Sequence, residues 1–301
     1  MNMKTNTHRR GLHRIVAFLL CAVCVFSLLP AQAFAAGVGQ KASSWLGDQY
    51  VGSDGQHYYS PVPTNFLAYN SDGTTDKRSG SGGSAYRHYM LTDSDGVTHS
   101  VYCVESGIPY NTSENTYTSE NGTNSDYLNM LPSAARRGIT LTAIYGWKPG
   151  ASLPVSGINE DDYKMATQII LWEYQQQLRS DPYSRHSNGH ASADQYYSVV
   201  AGRPAEKAYN WILEQVASHS TVPSFTAANK GDAPVLELKW DTSRKVYTLT
   251  VTDTNNLNID LQMLSGSGVT VSRNGNQYTF TSKNMIMEPV SFEFRKDIPV
   301  A

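Results

Sequence analysis

The chain contains very little cysteine. Three cysteines occur in 301 residues, and two of them, Cys21 and Cys24, lie in an apolar N-terminal stretch that we predict to be removed. Only Cys103 then remains in the mature chain. A single cysteine excludes an internal disulfide framework and a zinc site built from cysteines. Cys103 is therefore either a small buried hydrophobic residue or a reactive group.

Long apolar runs are also missing after the N-terminus. The run Ile15–Leu29 follows a basic start, is short for a membrane span, and precedes the small-residue pattern Ala33-Phe34-Ala35. These features predict a secretory signal peptide over residues 1–36. We therefore expect a secreted protein, without membrane insertion after cleavage.

Charge is scarce, and basic charge does not dominate. Charged residues make up 17% of the chain, with 24 basic and 26 acidic residues. Removal of the predicted signal peptide takes away four basic residues, which leaves 20 against 26 and a net charge near −6. Nucleic-acid binding requires a basic surface, so we expect no nucleic-acid partner.

The remaining pattern predicts an α+β fold in two domains. Residues 37–232 read as a mixed, β-rich domain with a helical subdomain, and residues 233–301 as an all-β, sandwich-like domain that we expect to be incomplete. Helices are predicted at Pro132–Tyr145 with Gly146 as the stop, at Asn159–Arg179, and after Pro204.

In the first domain, strands are predicted at Tyr86–Leu91 and Val97–Val104, with a hairpin turn at 93–96. Residues 77–84 read as a flexible connector, and residues 111–126 as a polar loop. Strands of the second domain are predicted at Val235–Trp240, Lys245–Val251, Val269–Ser272, Gln277–Thr281 and Val290–Phe294.

Two segments contain the candidate reactive residues, one at the end of a predicted strand and the other in a predicted helix. Cys103 lies near the end of the predicted strand, in Tyr102-Cys103-Val104-Glu105. The helix 159–179 carries Ala166-Thr167-Gln168-Ile169-Ile170-Leu171-Trp172-Glu173. Periodicity alone places Gln168 in a polar helix row with Asp161, Lys164 and Gln175, at the edge of a wide apolar arc, where an ordinary exposed glutamine is expected.

In their order along the chain, these segments resemble the thioester (TQxA) domain of Gram-positive surface adhesins, over roughly residues 58–225. In that family a cysteine near a strand end reacts with the glutamine of a helical Thr-Gln-x-x-[IVL]-Trp motif. Cys103, Thr167, Gln168 and Trp172 match it, whereas Ile170 stands where the family usually has alanine.

The resemblance implies an internal thioester between Cys103 and Gln168, a stored electrophile that reacts with amines. It implies a self-reacting, single-turnover adhesion module rather than an enzyme, with no cofactor and no metal. It also implies a place on the bacterial cell surface or in the cell wall. The expected partner is a lysine amine of a host surface or matrix protein, or a small amine, and the expected oligomeric state is a monomer. Tyr102, Glu105, Thr167 and Trp172 are candidate supporting residues, although structural packing explains each of them equally well.

Two other functions stay open. A cysteine-nucleophile enzyme, of the transglutaminase or hydrolase type, would pair Cys103 with a histidine base; the candidates are His88, His99, His186, His190 and His219. A noncovalent adhesin would carry an inert cysteine. The spacing of His186 and His190 permits zinc, but solvated histidines are expected there. Lys239 is a conceivable donor for an internal isopeptide bond in the second domain, and no such bond is predicted.

Overall fold

A computed structural model describes residues 39–59, 65–70, 74–79, 86–106, 110, 112, 117–118, 125–227 and 232–296. The predicted signal peptide lies outside these ranges. Contacts divide the chain into two compact units, one ending at Val216 and the other beginning at Ala217. The predicted domain division at residue 233 stays a prediction, because a compact unit is not by itself an independently folding domain. None of the helices in the described ranges is long and apolar enough to cross a membrane.

The first unit contains a four-stranded antiparallel sheet and a separate hairpin. The sheet has the order β5–β4–β1–β6, and β2 pairs with β3. The strands are β1 (Lys41–Gln49), β2 (Asn65–Tyr69), β3 (Thr75–Ser79), β4 (Arg87–Thr92), β5 (Thr98–Val101) and β6 (Tyr117–Thr118). The first residues of the predicted connector 77–84 therefore belong to a strand, and residues 80–84 lie outside the described ranges.

Five helices follow these strands in the described part of the chain. They are α1 (Asp126–Met130), α2 (Ser133–Tyr145), α3 (Glu160–Gln175), α4 (Ala193–Tyr197) and α5 (Ala205–Ser220). Gly146 ends α2 as predicted. A side chain has no room at this position, because a Cβ at Gly146 would lie 2.3 Å from the Thr167 side chain of α3. The predicted helix 159–179 is correct at its start but ends at Gln175.

Helix α3 lies in the centre of the first unit. The Asn159 side chain caps it by accepting a hydrogen bond from Asp162 N at 2.8 Å. The Asp162 carboxylate in turn accepts one from Asn159 N at 2.8 Å, which completes a capping box. Fourteen of its 16 residues are buried, polar residues included, so neither face is open to water. A helix enclosed in this way positions its polar side chains by hydrogen bonds inside the protein rather than by hydration.

The hairpin of β4 and β5 leads directly to Cys103. The buried carboxylate of Asp93 accepts hydrogen bonds from Asp95 N at 3.0 Å and Val97 N at 2.9 Å, which confirms the predicted turn. Strand β5 ends at Val101, so Cys103 lies two residues beyond the strand rather than inside it.

In its described residues, the second unit consists of strands and loops after the last residues of α5. Its four-stranded sheet has the order β10–β11–β8–β7, and β9 pairs with β12. The strands are β7 (Lys239–Asp241), β8 (Val246–Thr252), β9 (Leu261–Ser265), β10 (Thr270–Asn274), β11 (Gln277–Ser282) and β12 (Ser291–Phe294). A small core of Val269, Tyr278 and Phe280 holds it together. The α+β class is confirmed.

Candidate thioester site

The structure brings Cys103 and Gln168 together across 65 residues of sequence. The Cys103 backbone N–H donates to Gln168 Oε1 at 3.0 Å, and Gln168 Nε2 donates to the Cys103 carbonyl oxygen at 2.7 Å. The side-chain amide of Gln168 is thus held against the backbone of the residue that carries the thiol. The thiol itself donates to the Glu105 carbonyl oxygen at 3.3 Å.

Burial at the site differs from the expectation drawn from periodicity. Gln168 is 0% exposed, and Lys164 and Gln175, which share its helix row, are also buried. The expectation of an exposed glutamine is therefore wrong, because α3 is covered on the side that looks polar in the sequence. Cys103 is a free cysteine and is only partly buried. The pair combines a fully buried carboxamide with a cysteine residue that keeps some exposed surface.

The surroundings keep Cys103 protonated at neutral pH. Burial raises the pKa of its thiol to about 11, while a hydrogen bond at Glu105 and the nearby Trp172 indole act in the opposite direction. The Trp172 indole N–H is buried and has no hydrogen-bond partner among the described residues, although it is close enough to lower the thiol pKa. A donor in that position favours negative charge on the sulfur.

This geometry suits attack of sulfur on the Gln168 carbonyl carbon. The N–H of Cys103 points at Oε1, where negative charge develops when the carbonyl carbon becomes tetrahedral. The amide nitrogen, which leaves as ammonia, already faces the Cys103 carbonyl. The two hydrogen bonds thus act on the two atoms whose charge changes in the reaction.

The thioester domain family model matches residues 100–218. The resemblance to thioester domains is thereby confirmed. The match contains Cys103 and Gln168, and it is shorter than the stretch 58–225 expected from the motifs. Comparison with curated proteins and with solved structures found no match.

Three of the four predicted supporting residues are held by contacts close to the pair in sequence. Thr167 Oγ1 accepts from Trp147 N at 2.9 Å, and Tyr102 donates to the Trp147 carbonyl at 2.8 Å. The residues next to Gln168 and Cys103 are therefore tied to one tryptophan backbone. Trp172 packs between Tyr86 and Tyr196, with ring centroids 5.7 and 6.1 Å away. Glu105 contributes its backbone carbonyl.

We call the two hydrogen bonds between the Gln168 carboxamide and the Cys103 backbone a glutamine clamp. A second glutamine forms the same clamp on a residue that has no thiol. Gln176 Oε1 accepts from Leu67 N at 2.7 Å, and Gln176 Nε2 donates to Leu67 O at 2.8 Å. The two glutamines thus make the same pair of backbone bonds, and both are fully buried. The clamp alone is structural; the thiol at Cys103 is what gives the Gln168 clamp its chemistry.

Three of the five candidate histidine bases are engaged by groups other than Cys103. His99 lies 2.9 Å from the Asp93 carboxylate, His88 lies 3.0 Å from Asp161, and His186 lies 3.1 Å from Ser180. No cluster of three metal-ligating side chains occurs within the ranges that the structure describes. Sequence reasoning missed Trp147 and Lys164 as neighbours of the site; only the four-residue spacing of Lys164 from Gln168 could have indicated the latter.

We expect Cys103→Ala to remain folded. The packing of α3 does not depend on the sulfur, so the loss in unfolding free energy should be on the order of 1–3 kcal/mol, for the predicted crosslink and a small buried group. Urea unfolding of wild type and variant measures this difference. A variant that is unfolded at room temperature would show that the crosslink holds the fold together.

Proposed function

We propose that this chain is an exported surface adhesin in which Cys103 and Gln168 form an internal thioester that captures an amine covalently. The observation that carries the proposal is the double hydrogen bond between the Gln168 carboxamide and the Cys103 backbone. The match to the thioester domain supports a thioester-containing module of the adhesin type.

Bond formation is balanced without any further reactant. The Cys103 sulfur attacks the Gln168 side-chain carbon, the Cδ–Nε2 bond breaks, and the thiol proton leaves with the amide nitrogen as ammonia. The acyl thioester that results is more electrophilic than the amide, because sulfur donates poorly into the carbonyl. Burial of Gln168 limits hydrolysis, and the partly accessible Cys103 leaves a route for the amine.

Capture consumes the thioester once. An amine nitrogen attacks the Gln168 acyl carbon, the Cδ–Sγ bond breaks, and the product is an amide with a free Cys103 thiol. The expected acceptor is a lysine of a host surface or matrix protein, or a small amine. Because no step restores the thioester, the module works as a single-turnover binder rather than an enzyme, which suits a monomeric adhesin secreted to the cell surface.

A noncovalent adhesin with an inert cysteine is the second candidate. The observation that favours it is the clamp of Gln176 on Leu67, which shows that this fold uses the same hydrogen bonds for structure alone. The two candidates differ in covalent mass, so one measurement separates them.

The mature, freshly purified protein should weigh about 17 Da less than its sequence, because one ammonia is lost when the bond forms. Cys103→Ala and Gln168→Ala should both restore the full sequence mass. Gln176→Ala is the control: it removes the equivalent clamp and should keep the deficit. A full mass in the wild type, together with a thiol that titrates freely in the unfolded chain, would favour the inert cysteine.

A further inference from the structure

A buried lysine lies one helical turn before Gln168. Lys164 is 1% exposed, and its Nζ lies 4.5 Å from the centroid of the Trp147 ring and 5.7 Å from that of Tyr50. An ammonium ion in such a place is costly unless it is paired or loses its proton. Its contacts are two aromatic rings and the His88 imidazole, and it takes no part in the hydrogen bonds between Gln168 and Cys103.

Lys164 is the inner end of a chain of three titratable groups. Its Nζ lies 3.0 Å from His88 Nδ1, and His88 Nε2 lies 3.0 Å from Asp161 Oδ1. The carboxylate can only accept, so Nε2 carries a hydrogen and Nδ1 accepts from Lys164. The side chains of His88 and Asp161 are 22% and 23% exposed, so the chain runs from the interior to solvent.

Trp147 links this chain to the thioester site. Its ring lies under the Lys164 ammonium, while its backbone binds Thr167 and Tyr102, the residues adjacent to the reacting pair. Tyr50 Oη and Trp147 Nε1 are buried without a hydrogen-bond partner among the described residues. Buried polar groups of this kind ordinarily bind water, which conducts protons between donors and acceptors.

Amine capture releases a proton inside the protein. A lysine or methylamine arrives in water chiefly as an ammonium ion, and it ends as an amide nitrogen with one hydrogen. Of the two protons it loses, one is taken up by the departing Cys103 sulfur and the other must leave the site. A sheltered acyl group therefore benefits from a group that accepts a proton inside and releases it outside.

We propose that Lys164, His88 and Asp161 form a relay that accepts the proton released during amine capture and delivers it to solvent. The inference rests on the proposed thioester function. Neutral Lys164 takes the proton, passes it to His88 Nδ1, and His88 releases its Nε2 proton towards Asp161 and the surface. Lys164 acts through the intervening groups, so it is a positioning and proton-accepting residue rather than one that touches the acyl carbon.

The charges around Lys164 set the pH at which the relay operates. Burial lowers the pKa of Lys164 to about 8, against the opposing effect of Asp161 and Glu160 on its own helix. His88 faces it from β4 and Tyr50 from the end of β1; burial raises the pKa of Tyr50, which therefore stays neutral. Below pH 8 Lys164 is mostly charged and cannot accept a proton, and above pH 8 it is mostly neutral.

The test is the rate of methylamine addition between pH 6 and 9.5, followed by intact mass. If only free amine reacts, log rate rises with pH with a slope of about one across this range; if the amine enters as ammonium and neutral Lys164 takes its proton, the slope is about one below pH 8 and close to zero above it. Wild type should therefore show a break near pH 8. Lys164→Met should lose the break and react on the order of 10²-fold more slowly above it. His88→Asn should slow the reaction in the same way.

Lys207→Met is the control, because Lys207 is an exposed lysine of the same unit and should leave rate and profile unchanged. A wild-type slope near one throughout, or a Lys164→Met rate equal to that of wild type, would overturn the relay. The wild-type profile is decisive even if Lys164→Met fails to fold. A wild type without the ammonia deficit in mass would instead count against the thioester, so the two failures are distinguishable.

Discussion

Arg179→Leu is expected to lower the free energy of unfolding by about 3–5 kcal/mol, which is among the largest effects of any single change in this chain. Arg179 Nε donates to Glu173 Oε2 at 2.6 Å, and both side chains are almost fully buried. Tyr209 donates to the same carboxylate at 2.8 Å. Removal of the guanidinium leaves the Glu173 carboxylate without its compensating charge in the interior.

The pH dependence of the destabilisation tests whether the uncompensated Glu173 carboxylate causes it. Burial raises the pKa of Glu173, and Arg179 opposes that rise. Without Arg179 the pKa rises further, so the folded variant favours the protonated acid. The destabilisation should therefore be largest at neutral pH and should shrink as the pH falls through the raised pKa of Glu173. Chemical denaturation at pH 7 and pH 5 measures the difference.

A surface pair supplies the control. Arg185 lies 3.4 Å from Asp194, and these side chains are 39% and 78% exposed. Arg185→Leu should cost less than about 1 kcal/mol. Equal losses for the two variants would mean that the buried pair has no special energetic role. Glu173 lies in the same helix as Gln168, so the buried pair stabilises the helix that carries the proposed thioester glutamine.

Short sequence signals were enough to predict two helix ends and the proximity of Cys103 to Gln168. The capping pattern at Asn159 placed the start of α3 correctly, and Gly146 marked the end of α2. The pairing of Cys103 with Gln168 followed from a lone cysteine, a Thr-Gln motif and a family resemblance. None of these predictions requires knowing which parts of the protein pack over each face of a helix.

The surroundings of Gln168 could not be predicted in this way. Periodicity assumes that a polar helix row faces water, whereas in α3 that row is covered by the protein. Lys164 meets His88 across 76 residues, and Gln176 meets Leu67 across 109. Such pairs depend on tertiary structure, and a single sequence without an alignment carries no record of them.

Short elements were missed for a related reason. Helices α1 and α4 have five residues each, too few for a helical repeat to be visible. Ser192 does form a capping box with Gln195 at α4, a signal that can be read from the sequence. In the second unit, the predicted strand Val235–Trp240 is wrong over most of its length, because only Lys239–Asp241 pairs, and β9 was not predicted.

The other large effect concerns function: Cys103→Ala should abolish covalent amine capture completely. With methylamine, wild type should gain one amine at Gln168 and release the Cys103 thiol, whereas Cys103→Ala and Gln168→Ala should gain nothing. Gln176→Ala should react like wild type, since its clamp holds no sulfur. Peptide mapping by mass spectrometry locates the modified residue.

With a host protein, the expected product is an adduct that survives boiling in detergent with reductant. That resistance separates an amide from a disulfide and from tight noncovalent binding. Lysine has a reference pKa of about 10.4, so only a small fraction of acceptor amine is neutral at pH 7, and the rate should rise with pH. An adduct that forms equally well with Cys103→Ala, or that reductant cleaves, would contradict the proposal of a covalent adhesin. Repeated turnover on a peptide would point instead to a cysteine-nucleophile enzyme, because a thioester spent in one amide bond cannot act twice.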